Sequence, residues 1–246
     1  MHKPAKFRET MNALRCVKLR LFTALTLGWF LVPWAQAAEA PTAQEVLQSV
    51  RQSQASQQET LKGRLRTGGK STPFLLSMQG STVRYEFLEP PSTSLVLRLG
   101  EDGSRLTEVT KAGAQPIAGP RYSDLVRDTD ISYEDLSLRF LYWPKATLEG
   151  DAVLQLRGCW VVRVQAPAGA GSQYGTVKLW VDKESSALMQ AEAFDPQGKF
   201  ARRFKVISGQ KIAGAWYLKQ MRIEAPARGE RKDAVPTYLE VEGLVR

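Results

Sequence analysis

The chain has 246 residues, with 34 Lys and Arg against 25 Asp and Glu, and a single histidine, His2. His2 and one of the two cysteines, Cys16, fall within the first 37 residues, which read as a removable leader, so the remaining 209 residues (246 less 37) hold no histidine and only Cys159. That excludes a histidine general base, Ser-His-Asp and Cys-His nucleophile sites, histidine or multi-cysteine metal sites, and an intramolecular disulfide.

In the leader, Lys3, Lys6, Arg8, Arg15, Lys18 and Arg20 make a basic n-region, residues 21–34 a short apolar core, and Ala35-Gln36-Ala37 a small-x-small cleavage site. This is the pattern of a secretory signal peptide over 1–37, its core too short for a comfortable membrane span. Cys16 precedes the apolar core, so it is not a lipid-attachment cysteine. Cleavage after Ala37 is expected to release residues 38–246 as one exported domain, periplasmic in a cell with two membranes. The leader carries six basic and one acidic residue, so the net charge of +9 falls to +4 without it. A nucleic-acid partner thereby loses its main support.

Thr42-Ala43-Gln44-Glu45 is a capping box and opens a helix to about residue 55, with Ala43, Val46, Leu47 and Val50 on one face. From Thr60 the period becomes two. Leu61, Gly63 and Leu65 alternate with Lys62, Arg64 and Arg66, and Gly68-Gly69 turns the chain. Phe74, Leu76 and Met78 form the next strand, then Val83, Tyr85 and Phe87, then Leu95, Leu97 and Leu99 beyond Pro90-Pro91. A weaker strand passes through Leu106 and Val109, and residues 112–122 read as a loop. After residue 144 a weak strand covers 146–149 and a stronger one 154–165, with Trp160, Val162 and Val164 on one face. A meander follows through 174–181, 187–194, 199–207, 216–224 and 236–245, with Asp195-Pro196-Gln197-Gly198 a turn sequence. Phe200, Phe204 and Val206 are expected on one side. Cys159 reads as a buried small hydrophobe.

Between these strand regions, residues 127–144 read as helix. Ser132 is a good N-cap, acids crowd the first turn, and Pro144 stops it. Tyr133, Leu136, Phe140 and Trp143 form one apolar stripe, with Leu138 and Leu141 on a second patch, and Asp135 and Arg139 have the spacing of an i, i+4 ion pair. The acids there lack the glycine and the terminal bidentate acid of an EF-hand, so they read as cap and surface groups. The fold class expected is mainly β with two helices: a curved antiparallel sheet of about ten or eleven strands forming an unclosed half-barrel, with a helical lid closing its concave side.

Thr129-Asp130-Ile131-Ser132-Tyr133-Glu134-Asp135-Leu136 resembles a segment that marks the LolA-like outer-membrane lipoprotein-sorting proteins. So do Val177-Lys178-Leu179-Trp180-Val181-Asp182, Ala191-Glu192-Ala193-Phe194-Asp195 with Gly198-Lys199, and Gly214-Ala215-Trp216-Tyr217, in that order. The resemblance covers residue 127 to the C-terminus. It implies a hydrophobic cavity in the half-barrel, a periplasmic carrier or chaperone for the acyl chains of lipoproteins or other lipids, an inner-membrane donor transporter, an outer-membrane acceptor, and neither catalysis, cofactor nor metal. A monomer is expected. The inward positions assigned to such a cavity are Phe74, Leu76, Met78, Tyr85, Phe87, Leu97, Trp160, Val162, Leu179, Met189, Phe204 and Met221, and the lid residues are Tyr133, Leu136, Phe140, Leu141 and Trp143. The family's cavity arginine has no assigned counterpart: Arg64, Arg66 and Arg84 stand on early strands, and alternation sets Arg64 and Arg66 opposite the apolar face.

The rival readings are a lipid-sensing envelope-stress regulator on the same fold and a structural β domain with a closed core. An integral outer-membrane barrel is disfavoured by the Lys, Arg and Glu on the polar strand positions and by a C-terminus without an aromatic residue. An enzyme would need a carboxylate pair or a Ser-Lys pair, and no spacing points to one.

Overall fold

The computed structural model describes residues 40–127, 129–226 and 235–245. The expected signal peptide, Asp128, the charged loop 228–233 and Arg246 lie outside the described residues. Helix α1 (Ala43–Ala55) begins at a complete capping box: the Glu45 N–H donates to Thr42 Oγ1 at 3.2 Å, and the Thr42 N–H donates to Glu45 Oε2 at 2.7 Å. Its apolar stripe of Ala43, Val46, Leu47 and Val50 is buried.

Six strands follow: β1 (Thr60–Thr67), β2 (Lys70–Gln79), β3 (Thr82–Phe87), β4 (Thr93–Leu99), β5 (Ser104–Thr110) and β6 (Gly113–Pro116). The stretch 117–144 comes next, containing helix α2 (Tyr133–Ser137) between two 3-10 turns, Gly119–Ser123 and Arg139–Tyr142. Seven more strands complete the chain: β7 (Lys145–Leu154), β8 (Arg157–Gln165), β9 (Thr176–Asp182), β10 (Leu188–Phe194), β11 (Phe200–Ile212), β12 (Ala215–Glu224) and β13 (Thr237–Leu244). All thirteen belong to one antiparallel sheet in the order β6-β5-β4-β3-β2-β1-β13-β12-β11-β10-β9-β8-β7. β6 and β7 do not pair, so the sheet is an open half-barrel, as the sequence pattern implies.

Three differences from the sequence reading have identifiable causes. The loop expected at 112–122 holds β6, four exposed residues with no alternation to mark them. The weak strand expected at 146–149 runs from Lys145 to Leu154, because the turn falls at Gln155-Leu156, two non-glycine residues at φ 52° and 64° that carry no turn signature. The helix expected across residues 127–144 begins only at Tyr133 and is two pieces, because Leu138 adopts a left-handed conformation (φ 53°, ψ 25°). The Ser137 carbonyl at that break accepts from Ser104 Oγ of β5 at 2.5 Å instead of continuing the helical ladder.

The break divides the lid between two core clusters. Ile131 and Leu136 pack with Leu61, Leu76, Phe87, Leu97 and Leu239 on the β1–β5 side. Phe140, Leu141 and Trp143 pack with α1 and with Val162, Val177, Leu179 and Val181 of β8 and β9. Leu138 and Phe204 touch both clusters.

Gly63 is required by close packing. A Cβ there would stand 2.6 Å from the Phe74 ring and 3.0 Å from the Glu240 carbonyl oxygen. The Phe74 ring is flanked by Tyr85 and Phe87 at centroid distances of 5.9 and 5.8 Å, so it has little room to step aside. Gly63→Ala is expected to destabilise the protein by roughly 1–3 kcal/mol through overpacking. Urea unfolding with an unchanged m-value would check this.

Candidate functional site

Between the two clusters, under the lid, lies a cavity of about 440 Å³, within the range of small-molecule sites (roughly 300–1,000 Å³). Its walls are apolar: Leu61 from β1, Leu76 and Met78 from β2, Val83 and Tyr85 from β3, Leu97 from β4, Met189 and Ala191 from β10, Phe204 and Val206 from β11, Met221 and Ile223 from β12, and Leu239 and Val241 from β13. Strand alternation puts them there, one side of each strand facing the concave side of the sheet. The lid contributes Ile131, Leu136, Leu138 and Phe140. Ser53, Gln54 and Gln57 at the end of α1, Gln155 and Arg157, residues 185–188, Ser208 and Trp216 surround the mouth.

The sequence-assigned residues divide accordingly. Leu76, Met78, Tyr85, Leu97, Met189, Phe204, Met221, Leu136 and Phe140 line the cavity. Phe74 and Phe87 do not; they are buried in the first cluster, Phe74 filling the space over Gly63. Val162 and Leu179 are wholly buried beneath α1 with Leu141 and Trp143, because α1 covers the part of the inner face that alternation alone leaves open. Trp160 is partly buried beside that cluster, with the Lys183 ammonium 3.8 Å from its ring centre. Tyr133 turns away and donates its hydroxyl to Glu108 at 2.8 Å; burial, then this hydrogen bond, pushes it up to about 12. Cys159 is buried, and burial raises its thiol pKa.

The main surprise is Arg202 of β11, whose side chain is 2% exposed. It points inward opposite Ala193, whose short side chain leaves room for a guanidinium. Arg202 Nε lies 3.5 Å from Asp135 Oδ2 without a hydrogen bond, and Nη1 donates to the Asp130 carbonyl. Asp135 also accepts from the Tyr174 hydroxyl at 2.5 Å and the Ser132 N–H at 2.7 Å. The neighbouring Glu134 accepts from Ser172 Oγ at 2.5 Å and the Gln173 N–H at 2.9 Å; burial raises its pKa despite these bonds. Glu134 and Asp135 are therefore interior anchors, not surface caps. The expected Asp135–Arg139 pair does not form: Arg139 lies 3.8 Å from Glu134 and stacks over Tyr122 at 4.2 Å.

One sequence signal for Arg202 existed, its two-residue spacing from Phe204. The β-bulge before it changes the face of Phe200 instead, since Ala193 pairs with Arg202 while Phe194 pairs with Phe200. Phe200 accordingly lies with Phe194 and Arg203 and away from Phe204. Arg64, by contrast, is held by Glu240 and Glu242, each at 2.6 Å, with its side chain 45% exposed.

Among the described residues no group of three His, Cys, Asp or Glu side chains is placed to hold a metal ion. The site offers an apolar volume, a polar mouth that includes Arg157, and a pinned lid.

A family model described as "uncharacterized protein" matches residues 114–240. No curated protein matches the sequence. Among solved structures, the chain is similar to a DUF1329 family protein from Desulfovibrio piger (17% identity, 82% of this chain and 92% of that one, TM-score 0.60). It is also similar to a domain described as an outer membrane lipoprotein-sorting protein from Vibrio parahaemolyticus (15%, 81% and 90%, 0.62). A LolA superfamily protein from Nitrosomonas europaea shows the same likeness (15%, 84% and 95%, 0.59). At these identities the likeness is one of fold.

Two outcomes follow from the buried charges. Arg202→Met strands Asp135 in the interior and is expected to cost about 3–5 kcal/mol; with Asp135→Asn added, the double variant should cost less than the sum of the singles in urea unfolding. At the mouth, burial pushes the Asp182 carboxyl up, but two Arg157 hydrogen bonds at 2.8 Å and those of Ser185 outweigh it and hold it at about 2. A carboxyl depressed on folding contributes stability above its unfolded pKa of about 4 that is lost as pH falls toward 2. That contribution is at most about 2 kcal/mol, since Arg157 is 41% exposed. Asp182→Asn should flatten the stability profile between pH 4 and 2.

Proposed function

We propose, since the chain belongs to the family whose model spans residues 114–240 and has the LolA-like fold, that it is a periplasmic carrier. It takes the acyl chains of lipoproteins or other lipids into the cavity under the lid and moves them toward the outer membrane, without catalysis. The observation that carries this reading is the cavity itself: about 440 Å³, walled by Leu, Met, Val, Ile and aromatic side chains, with the Arg202–Asp135 pair anchoring the lid beside it.

Physical chemistry supports the same reading. An acyl chain in water costs about 0.8 kcal/mol per exposed CH₂, and an apolar wall removes most of that cost. The neutral Ser and Gln side chains at the mouth suit a cargo whose polar end stays in water. Export by a cleaved leader, residues 1–37, puts the chain where such cargo crosses an aqueous gap. An inner-membrane donor and an outer-membrane acceptor are the partners this role requires.

Native mass spectrometry tests it, on protein purified after export and without detergent. A discrete added mass, removed by organic solvent and resolving to acylated peptide or lipid, is the expected result. A bare mass, together with failure to take up a fluorescent fatty acid, would overturn the cavity reading in favour of a closed core. Met221→Asp is expected to lower fatty-acid affinity at least roughly tenfold, because a carboxylate in the wall must be desolvated. Co-purification of an envelope regulator that leaves when lipid binds would favour the sensing role over transport.

A further inference from the structure

The turns at the two ends of the half-barrel differ. At the end opposite the mouth, the turns at 68–69 and 195–198 hold polar or conformational residues, and the β3–β4 turn, Leu88-Glu89-Pro90-Pro91-Ser92, has one exposed apolar side chain, Leu88 at 55%. At the mouth, the β7–β8 turn carries Leu156, 98% exposed, and the β11–β12 hairpin carries Trp216, 66% exposed. Gln155 and Arg157, which flank Leu156, border the same mouth as Trp216. Gln155 Nε2 donates to the Val206 carbonyl at 2.7 Å, tying the Leu156 turn to β11. Gly209 has open space for the Trp216 ring, which lies 3.5 Å from where a Cβ would stand. Trp216 also borders the cavity mouth.

Apolar side chains this exposed are costly in water unless they meet a partner. The charge around them indicates which one. Beside Leu156, Arg157 and Lys183 are met by Asp182, Glu184 and Asp151; the basic excess lies on the Trp216 hairpin, where residues 205–220 include Lys211 and Lys219 and no acidic residue, and Lys211 stands directly across from Trp216. Trp beside Lys, with a projecting Leu, suits the boundary of a bilayer, where an indole rests at headgroup depth and an ammonium meets anionic headgroups.

We propose that the mouth end of the molecule docks on an anionic lipid bilayer surface, with Leu156 and Trp216 entering the interface and Lys211 and Lys219 facing anionic headgroups. The proposal rests on the carrier reading: a docked mouth lets an acyl chain pass between bilayer and cavity without crossing water.

Vesicle flotation tests it, using protein purified after export from cells expressing the full chain. Phosphatidylcholine vesicles are compared with vesicles containing a quarter phosphatidylglycerol, and fatty-acid probe uptake is read in the same samples. Binding is expected on the anionic vesicles and to weaken with salt. Leu156→Ser and Lys211→Glu, neither of which lines the cavity, should each lower partitioning roughly tenfold while probe uptake persists. Equal binding to neutral vesicles, no binding to either, variants that float like the parent, or binding only to envelope vesicles that retain their proteins would overturn the docking proposal. Uptake without flotation overturns docking alone; flotation without uptake sustains docking and overturns the carrier reading.

Discussion

The structure depends on one topological constraint. β6 and β7 are consecutive along the chain, yet they form opposite edges of a thirteen-stranded sheet. The 28 residues between them, 117–144, must therefore travel from one edge to the other. On the concave side they meet the apolar inner faces of the strands. A lid is thus a consequence of strand order, and its apolar residues answer to whatever lies on each part of the inner face. α1 fills one half of that face and leaves no space beneath Leu141 and Trp143. Nothing equivalent fills the centre, and the cavity lies there.

A crossing segment held by apolar contacts alone could slide, since such contacts are non-directional. Arg202, Asp135, Tyr174 and Ser132 supply direction. Both ionic groups are removed from water, so the pair adds little net stability over an apolar substitute. What it adds is position: Asp135 fits one guanidinium and one tyrosine hydroxyl, and any displacement leaves a buried charge unpaired. Leu138 in its left-handed conformation costs on the order of 1–3 kcal/mol, a cost that burial of Ile131, Leu136, Phe140 and Leu141 on either side of the break offsets. The lid is consequently anchored at the start of α2, the segment beside the cavity wall, and is released only by a change large enough to disrupt that anchor.

Much of this was legible in the sequence. The capping box at Thr42, the alternation from Leu61 to Leu99 and the turn at Asp195-Pro196-Gln197-Gly198 are local signals with local causes, and they give the half-barrel. The cavity was legible only in part, because alternation marks which face a residue points to and not what covers that face. Val162 and Leu179 share the inner face with Met189 and Phe204, yet α1 covers the first two and leaves the second two open to the cavity. Arg202 was missed because an arginine among apolar inward positions reads as solvent-facing, although the period of two from Arg202 to Phe204 is intact and the β10–β11 bulge displaces only Phe200. The lid break was missed because Leu138 has no turn signature; its conformation is imposed by tertiary contacts on both sides.

An open half-barrel must also keep its two edges from pairing with other chains. The edges differ in how they do so. β6 is four residues long and ends in Pro116, which has no N–H to offer a neighbour. β7 is ten residues long, and its exposed positions include Lys145, Glu149 and Asp151. Two of these charges are held in place, Glu149 by Lys178 at 3.1 Å and Asp151 by Lys183 at 2.8 Å. An added strand would have to displace or bury them, which costs more than its backbone hydrogen bonds return. A short edge and a charged edge are what permit the sheet to stay open, and an open sheet is what allows the lid to be a separate segment instead of a closed wall.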